Sequence, residues 1–175
     1  MKNKVSRVLT VAGALASALA LGTVNAGTAS AYTWDEIYSY GAGVCLTPYG
    51  GSTSNGANIV QWRCDTVTNI TAHNWSWDEI PGGYQVRNRN SNKCITLYGG
   101  STANGTYLTQ WDCNGSAAQK WYMGGYSGNY TINHAGSGKC MTSKGGDQSS
   151  SGVVMTLWDC NGSPAQRWFL GDIQS

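Results

Sequence analysis

The sequence has little charge: Asp, Glu, Lys and Arg make up 11% of its 175 residues, against roughly 25% in an ordinary soluble domain. That scarcity excludes a disordered acidic or basic tail protein. The formal net charge of +2 is too small to attract a phosphate backbone, so no nucleic-acid partner is expected. Only two histidines occur, His73 and His134, and neither a Gly-x-Ser-x-Gly elbow nor a His-Glu-x-x-His pair is present. The common hydrolase and metalloprotease motifs are therefore absent. Asp112 and Asp159 recur with a repeat described below and read as structural, and Asp35-Glu36 and Asp78-Glu79 carry no catalytic argument. No two cysteines stand as Cys-x-x-Cys, which argues against a zinc knuckle or a thioredoxin-type centre. The expectation is no catalytic residue, no metal and no cofactor.

Apolar runs are scarce too, with one exception at the start. Lys2, Lys4 and Arg7 form a positive region, and from Val8 to about Val24 the chain is uncharged and rich in Ala, Leu and Val. Small residues then frame a cleavage site at Ala29-Ser30-Ala31, with Val24-Asn25-Ala26 the weaker choice. This is the pattern of a secretory signal peptide over residues 1–31, and the run is short for a membrane span of about 20 residues. A secreted, extracellular product is expected, a single domain over residues 32–175 with no membrane insertion, a charge near neutral and a monomeric state. Its 8 basic and 9 acidic side chains give −1.

What the sequence does have is repetition. All six cysteines lie after the leader, at 45, 64, 94, 113, 140 and 160. Taken in order they form couples separated by 19, 19 and 20 residues. An even count in an exported chain points to disulfides, and the repeat favours Cys45–Cys64, Cys94–Cys113 and Cys140–Cys160. Trp62, Trp111 and Trp158 are spaced by 49 and 47 residues. Lys93-Cys94-Ile95-Thr96 recurs as Lys139-Cys140-Met141-Thr142, and Trp111-Asp112-Cys113-Asn114-Gly115-Ser116 recurs as Trp158-Asp159-Cys160-Asn161-Gly162-Ser163. Gln119-Lys120-Trp121 and Gln166-Arg167-Trp168 follow, matched in a divergent first unit by His73-Asn74-Trp75. Three units of about 48 residues result, at about 38–77, 84–123 and 130–170.

Each unit reads as strands and turns. Tyr84-Gln85-Val86, Cys94-Ile95-Thr96-Leu97 and Tyr107-Leu108-Thr109-Gln110-Trp111 are separated by Gly, Ser and Asn clusters, and no mature stretch sustains a helical period. Asn55-Gly56 and Asn104-Gly105 read as two-residue hairpin turns, since Asn and Gly accept positive φ. Units of this length also suit a solenoid or a propeller. A propeller needs typically four or more blades, so three units predict an all-β trefoil with pseudo-threefold symmetry and one disulfide per repeat.

Three Gln-x-Trp-like motifs, each following a cysteine couple, make this sequence resemble the ricin B-type β-trefoil lectins over about residues 38–170. The resemblance implies a β-trefoil with a shallow sugar site in each repeat, and a non-catalytic carbohydrate-binding module whose partners are glycans or a polysaccharide. The motif tryptophans Trp75, Trp121 and Trp168 would meet in a common core. Trp62, Trp111 and Trp158 would stack on a sugar ring, or else cover the core edge. In that family the polar half of a site has Asp two residues after the first Cys and Asn before the motif Gln. Here those positions hold Thr47, Thr96 and Thr142, and Ala72, Ala118 and Ala165. Gln119 and Gln166 remain, so the expected pocket is short of hydrogen-bonding groups. Tyr49 and Tyr98, each followed by Gly-Gly-Ser-Thr, offer a second aromatic platform or pack on the hairpin, and Lys144 breaks that pattern in the third unit. The alternative is a trefoil that has lost sugar binding and serves as an interaction or inhibitory module for another secreted protein.

Overall fold

The computed structural model describes residues 34–39, 42–64, 70–126 and 129–171. The leader and the expected N-terminus at Tyr32 lie outside the described residues. Twelve strands follow in chain order: β1 (Asp35–Ser39), β2 (Val44–Pro48), β3 (Ile59–Arg63), β4 (Asn74–Ile80), β5 (Gly83–Asn88), β6 (Cys94–Leu97), β7 (Leu108–Trp111), β8 (Trp121–Tyr126), β9 (Asn129–His134), β10 (Cys140–Ser143), β11 (Val153–Trp158) and β12 (Trp168–Gly171). Among the described residues the only helical elements are single 3₁₀ turns.

Pairing closes six of these strands into a ring. β1 pairs with β12 and β4, β12 with β9, β9 with β8, β8 with β5, and β5 with β4, all antiparallel. Closure leaves this ring without an open edge. The other six form three hairpins, β2–β3, β6–β7 and β10–β11, attached at Tyr38↔Cys45, Arg87↔Cys94 and Asn133↔Cys140. Those attachments are one position repeated three times. The hairpins meet one another through Val154↔Val60, Asn58↔Thr109 and Tyr107↔Thr156. A six-stranded barrel capped by three hairpins is the β-trefoil, as the repeats predict.

The core obeys the same symmetry. Ile37, Val86 and Ile132 come from the first strand of each repeat, Leu46, Ile95 and Met141 from the second, Ile59, Leu108 and Met155 from the third, and Trp75, Trp121 and Trp168 from the fourth. Each is buried. Each motif indole also donates a hydrogen bond from Nε1 to its own cap hairpin: Trp75 to the Leu46 carbonyl at 2.9 Å, Trp121 to Ile95 at 3.1 Å and Trp168 to Met141 at 3.4 Å. Burying an indole requires a partner for its N–H, and here that partner locks barrel to cap. The three disulfides join Cys45–Cys64, Cys94–Cys113 and Cys140–Cys160, with Cα–Cα distances of 5.0, 5.1 and 5.1 Å.

One expectation is corrected. Asn55-Gly56 and Asn104-Gly105 are not two-residue hairpin turns: β2 and β3 are joined through residues 49–58, and β6 and β7 through 98–107. Such a hairpin turn needs positive φ at both central residues, whereas only Gly56 (φ +82°) and Gly105 (φ +85°) have it. The turns lie inside ten-residue loops that reach into the next repeat.

Candidate functional site

Those loops build the site. After β2, β6 and β10 the chain makes a 3₁₀ turn, Tyr49–Gly51, Tyr98–Gly100 and Lys144–Gly146. Two successive glycines follow the first residue, with φ of +64° and +66°, +60° and +69°, and +71° and +79°. Successive left-handed residues are costly for any side chain but glycine. This double kink leaves the first residue at the surface, where Tyr98 is 65% and Tyr49 60% exposed.

Each loop then crosses to the next repeat. Gly56 N–H donates to the Gln110 carbonyl, Gly105 N–H to Leu157 and Gly152 N–H to Gln61, each at 2.8 Å. These glycines lie against the rings of Trp111, Trp158 and Trp62, and a Cβ there would stand 3.6, 3.7 and 3.4 Å from ring carbon Cζ3. Each recurring Trp is therefore seated by the loop of the preceding repeat, the third loop returning to the first repeat. Asn55 Nδ2 donates to the Asp112 carboxylate at 2.8 Å and Asn55 Oδ1 accepts the Asp112 N–H, while Lys93 Nζ reaches the same carboxylate at 2.6 Å. Asn104, Asp159 and Lys139 form a variant of it, in which Asn104 Nδ2 donates to Asp159 at 2.7 Å but its Oδ1 accepts Lys139 Nζ, which stands 3.5 Å from the carboxylate. The hydrogen bond from Lys93, then that from Asn55, holds the Asp112 carboxyl below its ordinary range, and Asn104 foremost does so for Asp159. Both recurring aspartates are thus structural. The third junction departs, with Ser151 Oγ accepting the Arg63 N–H.

Two clefts result. In the second repeat Tyr98 and Trp111 flank a recess of about 420 Å³ whose lining includes Thr96, Thr109, Asn114 and Gln119. Trp111 is 47% exposed. In the third repeat Trp158 and Tyr107 flank one of about 400 Å³ with Thr142, Thr156, Lys144 and Asn161. The first repeat brings Tyr49 and Trp62 together edge to face, 6.5 Å between centroids, but the counterpart of Asn114–Ser116 falls at residues 65–69, outside the described residues.

The floors of the two clefts differ. In the third repeat the Thr142 hydroxyl donates to the Cys140 carbonyl at 3.0 Å and accepts Gln166 Nε2 at 3.0 Å, and Thr156 donates to the Thr142 carbonyl. In the second repeat neither Thr96 nor Thr109 has a side-chain hydrogen bond among the described residues. Thr47 is buried and donates to the Pro48 carbonyl at 3.3 Å. Gln119 and Gln166 are both fully buried clamps. Gln119 Oε1 accepts the Asn114 N–H and Gln85 Nε2, and its Nε2 donates to the Asp112 carbonyl. Gln166 likewise accepts the Asn161 N–H and donates to Asp159. Both amides shape the loop carrying Asn114 or Asn161, and Gln166 has no amide hydrogen left for a ligand.

Sequence reasoning missed Gln61 and Gln110. Both are buried, and each ties down the crossing loop: Gln110 Nε2 donates to Ser52 and Ser54 carbonyls at 2.7 and 3.0 Å and its Oε1 accepts Ser91 Oγ at 2.7 Å. Gln61 does the same for Asp147 and Ser150, with Ser143 as donor. The signal was present, a Gln immediately before Trp62 and Trp111. His73, the variant of the motif Gln, is buried with neither ring nitrogen hydrogen-bonded. Desolvation lowers its pKa. Glu36 and Cys45 lie with it in a cluster whose ligand atoms are within 4.8 Å, but the Cys45 sulfur is committed to a disulfide and offers no thiolate.

A family model for the ricin-type beta-trefoil lectin domain matches residues 33–168. The chain belongs to this family. Solved structures similar to this ricin-type domain include a designed threefold-symmetric protein, ThreeFoil, 25% identical with a TM-score of 0.72, covering 80% of this chain and 99% of that one. An exo-beta-1,3-galactanase from Clostridium thermocellum matches at 24% identity and TM-score 0.75 over 82% of this chain, which spans 31% of the enzyme. A ricin B-like lectin of Macrolepiota procera, solved in complex with lactose, matches at 15% identity and TM-score 0.68, covering 81% and 96%. No curated protein sequence matches the chain. In the ricin-type domain the expected Asp and Asn of the polar half are Thr96 and Ala118, and Thr142 and Ala165, so both clefts lack a carboxylate in their lining.

Proposed function

We propose that residues 32–175 are an exported, non-catalytic carbohydrate-binding module, and that the second-repeat cleft takes a neutral sugar ring. The observation that carries this reading is the pairing of a broad exposed indole, Trp111, with unspent hydroxyls on Thr96 and Thr109 at the floor beside it. An indole face covers the apolar C–H face of a sugar, while a hydroxyl can both donate and accept, as sugar hydroxyls require. Tyr98 supplies the second wall. The family membership and the lactose complex of a structurally similar lectin support the same reading.

Without a carboxylate the polar half is weak. Neutral hydrogen bonds contribute about 0.5–1.5 kcal/mol each, against about 1.5–3 kcal/mol for charged ones, so affinity for a single ring is low and rests on stacking. A glycan array and retention on immobilised neutral polysaccharides test this, using mature protein and its Trp111→Ala and Tyr98→Ala variants with circular dichroism as the folding control. Binding that falls in both folded variants supports the proposal. A blank array, or binding indifferent to both aromatics, refutes it and favours the interaction-module alternative.

A further inference from the structure

The third-repeat cleft is not a copy of the second. Where the second has Tyr98 on its own loop and Asn58 opposite, paired across Asn58↔Thr109, the third has Lys144 on its own loop and Tyr107 opposite, paired across Tyr107↔Thr156. The aromatic wall has moved to the neighbouring repeat and an ammonium has taken its place. Lys144 Nζ donates to Tyr107 Oη at 3.0 Å and stands 5.0 Å from that ring's centroid. This fixes an exposed charge over the cleft mouth while leaving two of its three hydrogens to other acceptors.

Thr142 and Thr156 have spent their hydroxyl hydrogens on backbone carbonyls and can only accept, which suits the hydroxyls of a sugar ring. The groups left beside Lys144 are donors. Asn161 Oδ1 is taken by the Ser163 N–H at 2.9 Å, while Asn161 Nδ2 and Trp158 Nε1 have no partner among the described residues. The two nearby carboxylates are engaged elsewhere, Asp159 with Lys139 and Asn104, and Asp147 with the N–H groups of Ser149 and Ser150. A recess offering an ammonium, an amide NH₂ and an indole N–H beside a stacking face suits a ring bearing an acceptor-only group. We infer that the third repeat binds an acidic sugar through its carboxylate, with Lys144 as the charge partner and Trp158 as the platform. This rests on the sugar-binding reading above and divides specificity between repeats, neutral in the second and anionic in the third.

The test uses ¹⁵N-labelled mature protein titrated with tetragalacturonate and with its fully methyl-esterified form, which has the same rings but no charge. The indole N–H resonances of Trp111 and Trp158 report the two clefts separately. The acid is expected to move the Trp158 signal with at least about five-fold tighter affinity than the ester, the gain of one charge-assisted contact. Lys144→Gln should erase that preference and Lys144→Arg keep it, while added salt weakens the acid alone. Equal affinities for acid and ester at Trp158, or a preference untouched by Lys144→Gln, overturn the inference while an ester-induced shift at Trp111 leaves the sugar-binding reading standing. If neither probe moves either indole, both fall.

Discussion

Replacing Gln110 by alanine probes the device on which the cap is built. Gln110 is completely buried and makes three hydrogen bonds, two to the crossing loop at Ser52 and Ser54 and one from Ser91. At about 1 kcal/mol for each bond, with a partly collapsed cavity added, the loss comes to roughly 3–4 kcal/mol. For a domain of this size that lowers Tm by about 10 °C. The third repeat supplies the control, since Leu157 occupies the same position and the loop there is held by the Gly105 N–H at 2.8 Å. Gln110→Leu therefore keeps the packing, and the Ser52 and Ser54 carbonyls turn to water at the surface. Its cost should be about half that of alanine. Guanidinium unfolding of the three proteins at neutral pH gives both numbers. An alanine cost below about 1 kcal/mol, or a leucine cost equal to it, would refute the view that this amide clamps one repeat onto the next.

Other consequences follow from particular residues. His73 is buried and unpaired, with its pKa lowered by desolvation, so the unfolded chain binds the proton more readily and stability falls as pH drops below about 6.5. His73→Gln should flatten Tm between neutral pH and pH 5, and a wild-type Tm constant across that range would contradict the assignment. Opening Cys94–Cys113 by paired serine substitution, which frees a loop of 19 residues, should cost about 3 kcal/mol in the chain-entropy model, measured by thermal unfolding. The exported protein should begin at Tyr32 and carry no free thiol, which intact-mass analysis with and without reduction checks directly.

The fold was legible because its periodicity is chemical as well as numerical. Cysteine couples, Trp-Asp-Cys and Gln-x-Trp recur at nearly constant spacing, and each has a fixed place in a threefold core. Asn55-Gly56 was misread because a dipeptide reports only that a turn is tolerated, while the length of the loop and its destination depend on another repeat. The clefts were half legible. Trp111, Trp158, Thr96, Thr142 and Tyr98 do line them, whereas buried Gln166 serves the fold. Thr142 donates to a carbonyl two residues away, which the equivalent Thr96 does not, while the Thr156 donor bond and the Gln166 bond to Thr142 span 14 and 24 residues, so the shared Cys-x-Thr pattern does not tell a spent hydroxyl from a free one. The Lys144–Tyr107 exchange pairs two residues 37 apart, so only its first half, the missing tyrosine, showed in the sequence.

The most direct measurement restores what the second repeat lacks. Thr96 stands at the position where the family places its aspartate, on the floor of the Trp111 cleft. Titrating a neutral galactoside into the wild type, Thr96→Asp and Trp111→Ala, with the Trp111 indole N–H as reporter in the first two, isolates that cleft. A carboxylate contributing one to two charged hydrogen bonds should tighten binding by about ten- to hundred-fold, and Trp111→Ala should abolish it. Galactoside binding that is unchanged by Thr96→Asp and survives Trp111→Ala would contradict the assignment of this cleft as the sugar site.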